Sequence, residues 1–450
     1  MLFCKTGKEC NKKWKKWHFI LCGCKVNQYE TNAMKQIFLE HGYELADFDE
    51  NADIFVVNTC TVTNISDKKS RQMLRKVKQK NPNSVVVAVG CYAQVAKNDL
   101  EKIEEIDIVL GNNEKKRIIE YVEEYINANN INKISDISKI EDSEEFLEFG
   151  QVIHIETSRA LIKIQDGCNN FCSYCIIPYA RGRIRSRSKD AILSEVRKIV
   201  ELGIKEVVLT GIHVASYGKE NAKKDSGYYL IDLIEDINKV DGIERIRLSS
   251  IEPCIITEEF CERLSKVEKI CEHFHLSLQS GCDKTLKQMN RKYTTEEFRK
   301  SVEILRKTFK NVNLTTDLIV GFPGETDDDF NETYKFLEEI RFFKIHVFKY
   351  SKRNGTVAAK MPNQVDEKIK EERSRKVIEL SNRIEKEYLE KYVGNEIQVL
   401  FEEEKNGLWR GHSKNYVVVN VKSEEDLKNS MINIEITGVK DLELVGKIKK

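Results

Sequence analysis

The chain reads as a three-part α/β protein: a parallel α/β sheet, then a six-unit β/α barrel, then a small antiparallel β-barrel. Three observations predict this. Continuous Val/Ile runs alternate with amphipathic stretches over residues 17–125, the pattern of strands covered on both faces. Strand followed by helix repeats six times over 154–385, which suits a closed or partly open parallel barrel better than a doubly wound sheet. Over 389–450 the helical period is lost and five short apolar runs follow one another, as in a small barrel of the oligonucleotide-binding kind.

The bulk numbers fit. A chain of 450 residues, 40% hydrophobic and 33% charged, has room for several cores. No apolar run reaches the roughly 18 residues of a membrane span. The leading "MLFCKTGKECNKKWKKW" is basic but lacks the apolar centre of a secretory signal, so a cytoplasmic protein is expected. Thirteen cysteines in such a chain point to metal binding or catalysis rather than to disulfides. The net charge of +1 neither demands nor excludes a nucleic-acid partner, and any basic surface must be local. The leading lysines Lys12, Lys13, Lys15 and Lys16 read as a solvated arm.

In the first part, "HFILCGC" is a strand, and "YETNAMKQIFLEHG" is a helix closed by Gly42. "DIFVVNTC" is a second strand, followed by the helix "SDKKSRQMLRKVKQKNPN", which Pro82 stops. "SVVVAVGC" and "IDIVLG" complete a four-strand pattern. Cys24, Cys60 and Cys91 each fall at the C-terminal end of a different strand. Those ends share one rim in an open parallel sheet, where ligands bind. The three thiols are therefore predicted to converge, although 36 and 31 residues separate them. Cys22 falls within the apolar strand and reads as packing. The Asn-, Ser- and acid-rich stretch 126–153 reads as a linker.

The barrel strands are "LIKIQDG", "EVVLTGI", "RIRLSSI", "HFHLSLQSG", "NLTTDLIVGF" and "IHVFKYS". In the fourth, Phe274, Leu276 and Leu278 alternate with His275, Ser277 and Gln279, which gives the lumen a polar wall suited to a ligand. After the first strand come Cys168, Cys172 and Cys175, spaced C-x3-C-x2-C. They sit where barrel enzymes keep their chemistry. A structural zinc site would want four ligands, whereas thiolates are the natural ligands of iron–sulfur clusters. A four-iron cluster held by three thiolates keeps one iron open for another ligand. Arg181, Arg183, Arg185 and Arg187 follow at alternate positions. In an extended segment they would line one side, suited to phosphate or carboxylate or else to salt bridges with neighbouring helices. "GFPGETDDD" reads as a turn into a helix with Thr326 as N-cap. In the small barrel, Trp409 and Tyr416 either stack on bases or fill the core. Its ten Lys/Arg against eleven Asp/Glu give no charge argument for RNA.

The three-cysteine loop after the first barrel strand resembles that of the radical S-adenosylmethionine (SAM) superfamily. "GCKVNQYE", "NTCTVT", "VGCYAQ", "CSYCIIPYARGRIRSR", "DLIVGFPGET" and "FKYSKRNGTVAAKM" are similar to segments of its methylthiotransferase family. "LCGC" carries Cys22 where that family often has Thr. The resemblance implies a methylthiotransferase domain at 17–125, a partial (β/α)6 radical SAM core at 154–385 and a TRAM domain at 389–450. It implies that Cys168, Cys172 and Cys175 hold a [4Fe-4S] cluster whose open iron binds SAM, and that Cys24, Cys60 and Cys91 hold an auxiliary [4Fe-4S] cluster. SAM contacts are expected from Gly211, His213, Ser277, Gln279, Gly321, Gly324 and Glu325. The arginines Arg181, Arg183, Arg185 and Arg187 are expected to meet tRNA or the SAM carboxylate. The implied reaction adds a methylthio group to carbon 2 of N6-threonylcarbamoyladenosine at position 37 of tRNA, with an electron donor as a further partner and no membrane. Two other readings stay open: the same chemistry on another modified adenosine or a ribosomal-protein aspartate, and a zinc-bearing RNA-binding protein without catalysis.

Overall fold

The computed structural model describes residues 16–46, 52–129, 132–220 and 227–449. Lys12, Lys13 and Lys15 lie outside them. The chain forms two compact units that divide between Ile140 and Glu141.

The first unit is a six-stranded, all-parallel sheet. Its strands are β1 Lys16–Leu21, β2 Glu44–Leu45, β3 Ile54–Thr59, β4 Val85–Gly90, β5 Ile108–Leu110 and β6 Ile134–Asp136, in spatial order β2-β1-β3-β4-β5-β6. Every residue of β3, β4 and β5 is buried, which is why they read as unbroken apolar runs. A fully buried Val or Ile contributes about 1.5–3 kcal/mol each. Four expectations need correction. Lys16 belongs to β1 rather than to a solvated arm, and Trp17 beside it is fully buried against Phe19 and Phe38. The stretch 126–153 is not all linker, because β6 pairs with β5. The short β2, flanking β1, had too few apolar residues to be read as a strand. Helix α1, Lys25–Glu40, also starts directly after Cys24 rather than at Tyr29. Helix α2, Asn64–Lys80, is capped by Thr63, whose hydroxyl accepts from the Ser66 amide at 3.1 Å. A one-turn helix α3, Cys91–Val95, leaves β4.

The second unit holds both barrels. The six strands of the large one are β7 Arg159–Lys163, β10 Glu206–Thr210, β11 Arg245–Leu248, β12 His273–Gln279, β13 Asn313–Val320 and β14 Lys344–Lys349; the short pair β8 Gln165–Asp166 and β9 Arg185–Ser186 flanks the cysteine loop. Parallel ladders join β7-β10-β11 and β12-β13-β14, and single bridges Ile246–Ile270 and Ile251–Leu276 connect the two halves. The result is a partly open parallel barrel. Phe274, Leu276 and Leu278 are buried in the helix-covered core while His275, Ser277 and Gln279 remain half-exposed on the lumen side.

The small barrel is closed, in order β15-β16-β17-β19-β18: β15 Glu396–Lys405, β16 Leu408–Ser413, β17 Val418–Lys422, β18 Met431–Lys440 and β19 Glu443–Ile448. It is antiparallel except where β17 meets β19 in parallel. It seats on the N-terminal ends of the large barrel's strands. Arg159, at the start of β7, pairs with Glu402 at 2.9 Å. Arg245 and Arg247 of β11 donate to the carbonyls of His412 and Lys414 at 2.9 and 3.2 Å. Asn313 Nδ2, at the start of β13, donates to the carbonyl of Asn415 at 2.9 Å. Tyr416 stacks between His273 and His412, 4.7 and 4.6 Å from their rings, with the Arg247 guanidinium 4.7 Å over its face. Trp409 is buried in the small barrel's own core. Trp409 takes the core-filling alternative, whereas Tyr416 packs at the junction of the two barrels.

Glu206 is the fully buried counter-charge at this junction, 2.6 Å from Arg247 and 3.8 Å from Arg245. Burial works to raise its pKa, yet the arginines hold it below the usual range. The ionised form is therefore the one that stabilises the fold. That contribution is present at neutral pH and is lost as pH falls through the depressed value. Glu206→Gln strands two guanidinium groups without a buried counter-charge and is expected to cost about 3–5 kcal/mol, measured by urea denaturation at neutral pH; a loss below about 1 kcal/mol would contradict the assignment.

Candidate metal centres and cofactor site

Two groups of three thiols stand at strand ends, one in each unit. In the first unit Cys60 and Cys91 directly follow β3 and β4, and Cys24 caps α1 three residues past β1. Burial pushes the Cys60 thiol up to about 11, and the proximity of Cys91 and Cys24 adds to the rise. Cys60 thus lies within electrostatic reach of both Cys91 and Cys24. Asn27 of α1, fully buried, ties the strand ends together: its Nδ2 donates to the carbonyls of Cys22 and Thr59 at 2.9 and 3.1 Å, and its Oδ1 accepts from Cys91 Sγ at 3.9 Å. Asn112 Nδ2 donates to the same sulfur at 3.9 Å. Gly23 lies against Cys60, with φ of +127°; a Cβ there would meet Cys60 Cβ at 2.9 Å and Sγ at 3.0 Å. Cys22 packs instead with the core on the α2 side, near Lys69 and Ser70.

In the second unit, Cys168, Cys172 and Cys175 occupy the loop after β8 at the C-terminal rim. Burial pushes Cys168 up to about 11 and Cys175 up to about 12, each reinforced by the neighbouring thiol Cys172. The loop is fixed from several sides. The Ser173 amide donates to Met289 O at 3.0 Å and the Ala358 amide to Ser173 O at 2.7 Å. Asn290 Nδ2 donates to the carbonyls of Asn170 and Phe171 at 3.2 and 3.0 Å. Glu252, following β11, accepts from Asn170 Nδ2 at 2.9 Å, lies 3.0 Å from His213 Nε2 and pairs with Arg291 at 2.9 Å. Arg291 also donates to Cys172 Sγ at 3.3 Å.

The expected SAM contacts fall in different places. His213 joins Glu252, and its amide donates to Gln165 Oε1 at 2.7 Å. Gly211 packs on Gln165, whose Oε1 a Cβ would meet at 2.9 Å. Ser277 and Gln279 line the lumen, with Gln279 in the left-handed region at φ +68°. Gly321 and Glu325 are taken up by the protein. A Cβ on Gly321 would strike Lys370 at 2.3 Å. Glu325 accepts from the Gly321 amide at 2.9 Å and from Arg373 at 2.6 Å, closing the turn before the helix that Thr326 caps. Gly324, with φ +83°, lies in that same turn; its amide donates to Asn363 O at 2.9 Å, and a Cβ there would meet Gln288 at 3.7 Å.

The four arginines do not share one side. Arg181 ends a short helix, Ile177–Arg181, and Gly182 at φ +73° breaks the run. Arg181 is buried on Asp166 at 3.1 Å, and Arg185 donates to Arg181 O at 2.9 Å. Arg187 is buried between Glu148 and Glu195, at 2.7 and 2.9 Å. Only Arg183 is exposed, 4.6 Å over the Phe171 ring. Arg181, Arg185 and Arg187 thus take the salt-bridge alternative, with their charges met inside the protein. Sequence reasoning missed Asn170, Glu252 and Arg291, for no local spacing links them.

The comparisons match this picture. Residues 162–337 match the Radical SAM superfamily and residues 16–111 match the Uncharacterized protein family UPF0004. The chain is 42% identical to the threonylcarbamoyladenosine tRNA methylthiotransferase MtaB of Bacillus subtilis over 93% of each chain. It is 40% identical to the protein of that name from Aquifex aeolicus, over 89% of this chain and 95% of that one. The chain belongs to the radical SAM methylthiotransferases. It is 35% identical to a tRNA-2-methylthio-N(6)-dimethylallyladenosine synthase of Acetivibrio thermocellus, covering 99% of this chain and 92% of that one. In fold it resembles the radical SAM methyltransferase TsrM of Kitasatospora setae, with a TM-score of 0.53 at 14% identity, covering 75% of this chain and 72% of that one. Membership brings [4Fe-4S] clusters and SAM as cofactors and removes the zinc-bearing, non-catalytic alternative.

The thiol groups fit such clusters. Burial raises Cys60 in one group and Cys168 and Cys175 in the other, surroundings that favour the thiolate only when a cationic centre binds. Among the described residues no group of three His, Cys, Asp or Glu is arranged to hold a single metal ion; thiolates at separate corners of a cluster stand further apart. Gly23→Ala is expected to lower anaerobically reconstituted iron from about eight to about four per chain with the circular dichroism kept; full iron content would show that Gly23 does not shape the site.

Proposed function

We propose that this chain transfers a methylthio group to carbon 2 of N6-threonylcarbamoyladenosine at position 37 of tRNA, and that Cys168, Cys172, Cys175 and Cys24, Cys60, Cys91 each hold one [4Fe-4S] cluster. The observation that carries the reading is the pair of thiol triplets at strand ends, each one ligand short of closure. Carbon 2 of an adenine is unactivated, so side-chain acid–base chemistry does not functionalise it and a cofactor must carry the hard step. The acceptor is supported by the relatives named for threonylcarbamoyladenosine, at 42% and 40% identity, above the 35% and 36% of those named for dimethylallyladenosine.

Bound at these sites, the cofactors supply one-electron cleavage of the SAM sulfonium and a sulfur for transfer. The chain's own residues bind and orient. Asn290, Ser173 and Glu252 fix the cysteine loop on the barrel rim. His213, Ser277 and Gln279 stand on that rim and lumen, where SAM and the base must enter. Asn27 and Asn112 hold Cys91. Among the described residues no helix is long and apolar enough to cross a membrane.

Nucleoside mass spectrometry of tRNA from a deletion strain is expected to show 2-methylthio-N6-threonylcarbamoyladenosine replaced by its unthiolated precursor. Its persistence at normal levels with no second enzyme present would exclude this acceptor. Replacing any of Cys24, Cys60 or Cys91 by Ala is expected to abolish methylthiolation while 5′-deoxyadenosine release from SAM continues. Loss of both reactions would contradict the division between the two sites.

A further inference from the structure

Arg291 is enclosed by the protein, with 6% of its side chain exposed. Its Nη1 donates to Cys172 Sγ at 3.3 Å, its Nη2 pairs with Glu252 Oε1 at 2.9 Å and reaches Ser277 O at 3.3 Å, and its Nε donates to Tyr293 Oη at 3.0 Å. Cys168 takes an amide N–H from Asn170, and Cys175 takes one from Ile177. Among the described residues, a cationic side chain donates to Cys172 and to neither of the other two sulfurs. A guanidinium keeps its proton in proteins, so Arg291 brings a full positive charge to Cys172. Glu252 stays ionised as well: burial raises it, and His213, Arg291 and Asn170 together bring it down to about 2. With its donors turned to Glu252, Ser277, Tyr293 and Cys172, the guanidinium is placed to act on the sulfur rather than on an incoming carboxylate.

We propose that Arg291 is a positioning residue that fixes a positive charge against Cys172 Sγ and thereby raises the reduction potential of the cluster held by Cys168, Cys172 and Cys175, with Glu252 locking the guanidinium in place. This rests on the cluster assignment above. Reduction takes one electron from an external one-electron donor, with no proton and no bond change, and adds one negative charge to the cluster. A cation on a ligand sulfur in a low-dielectric pocket stabilises the more negative state. Glu252 opposes that effect by its charge and serves it by its geometry.

The test uses the full chain with Cys24, Cys60 and Cys91 all changed to Ala, reconstituted anaerobically, so that one cluster of about four irons reports. Dithionite titration is followed by electron paramagnetic resonance without SAM. R291Q is expected to move the midpoint to more negative values and E252Q to less negative ones, at unchanged iron content. A merely structural role does not produce opposite signs. Unchanged midpoints in both variants, or shifts in the same direction, overturn the proposal. Should R291Q fail to retain iron, E252Q decides: a midpoint that is unchanged or more negative overturns it. Absence of iron in the parent overturns the cluster assignment, and the proposal with it, before any arginine variant is made; the tRNA nucleoside profile reports on the acceptor independently.

Discussion

The cysteine loop depends on one buried carboxylate. Glu252 gathers Asn170 from the loop, His213 from the segment after β10 and Arg291 from just beyond the short helix Asp283–Gln288 that follows β12. A buried carboxylate is costly unless its oxygens are met by donors and opposite charge. Three separate stretches of chain must therefore come to the same point before Glu252 is satisfied. That requirement ties the rim of the barrel together where the strands themselves have ended, and it places the three thiols of the loop in a fixed frame.

The opposite end of the barrel is closed by a second buried charge. Glu206 holds Arg245 and Arg247, and those arginines reach the backbone of the small barrel. The two ends thus divide the work of the fold. The C-terminal rim gathers sulfur, a carboxylate and half-exposed polar groups, while the N-terminal mouth is filled by ion pairs and a stacked tyrosine. Barrel enzymes keep chemistry at the first end and stability at the second, and the buried charges here follow that division.

Much of this was legible in the sequence, for physical reasons. Strands buried on both faces must be apolar throughout, so β3 and β4 announced themselves, and with them the strand-end positions of Cys60 and Cys91. The lumen pattern of β12 was readable because its alternation is local. The arginine run misled because periodicity assumes an unbroken backbone, and the short helix ending at Arg181 and the turn at Gly182 remove that premise. Its partners Glu148 and Glu195 gave no local sign. Arg291 was invisible for the same reason: 119 residues separate it from Cys172, and only the barrel's closure brings them together. The strand β6 was hidden by its polar composition at the sheet edge.

Tyr416 carries a consequence for how such chains are assembled from parts. Its backbone sits in the left-handed region at φ +69°, and its ring is clasped by His273 of one barrel and His412 of the other. The strained turn of the small barrel is thus completed by side chains that the large barrel supplies. The C-terminal barrel is consequently not an interchangeable module. Grafting it onto another scaffold, or exchanging it between relatives, transfers the turn without its clasp unless Arg159, Arg247 and His273 travel with it.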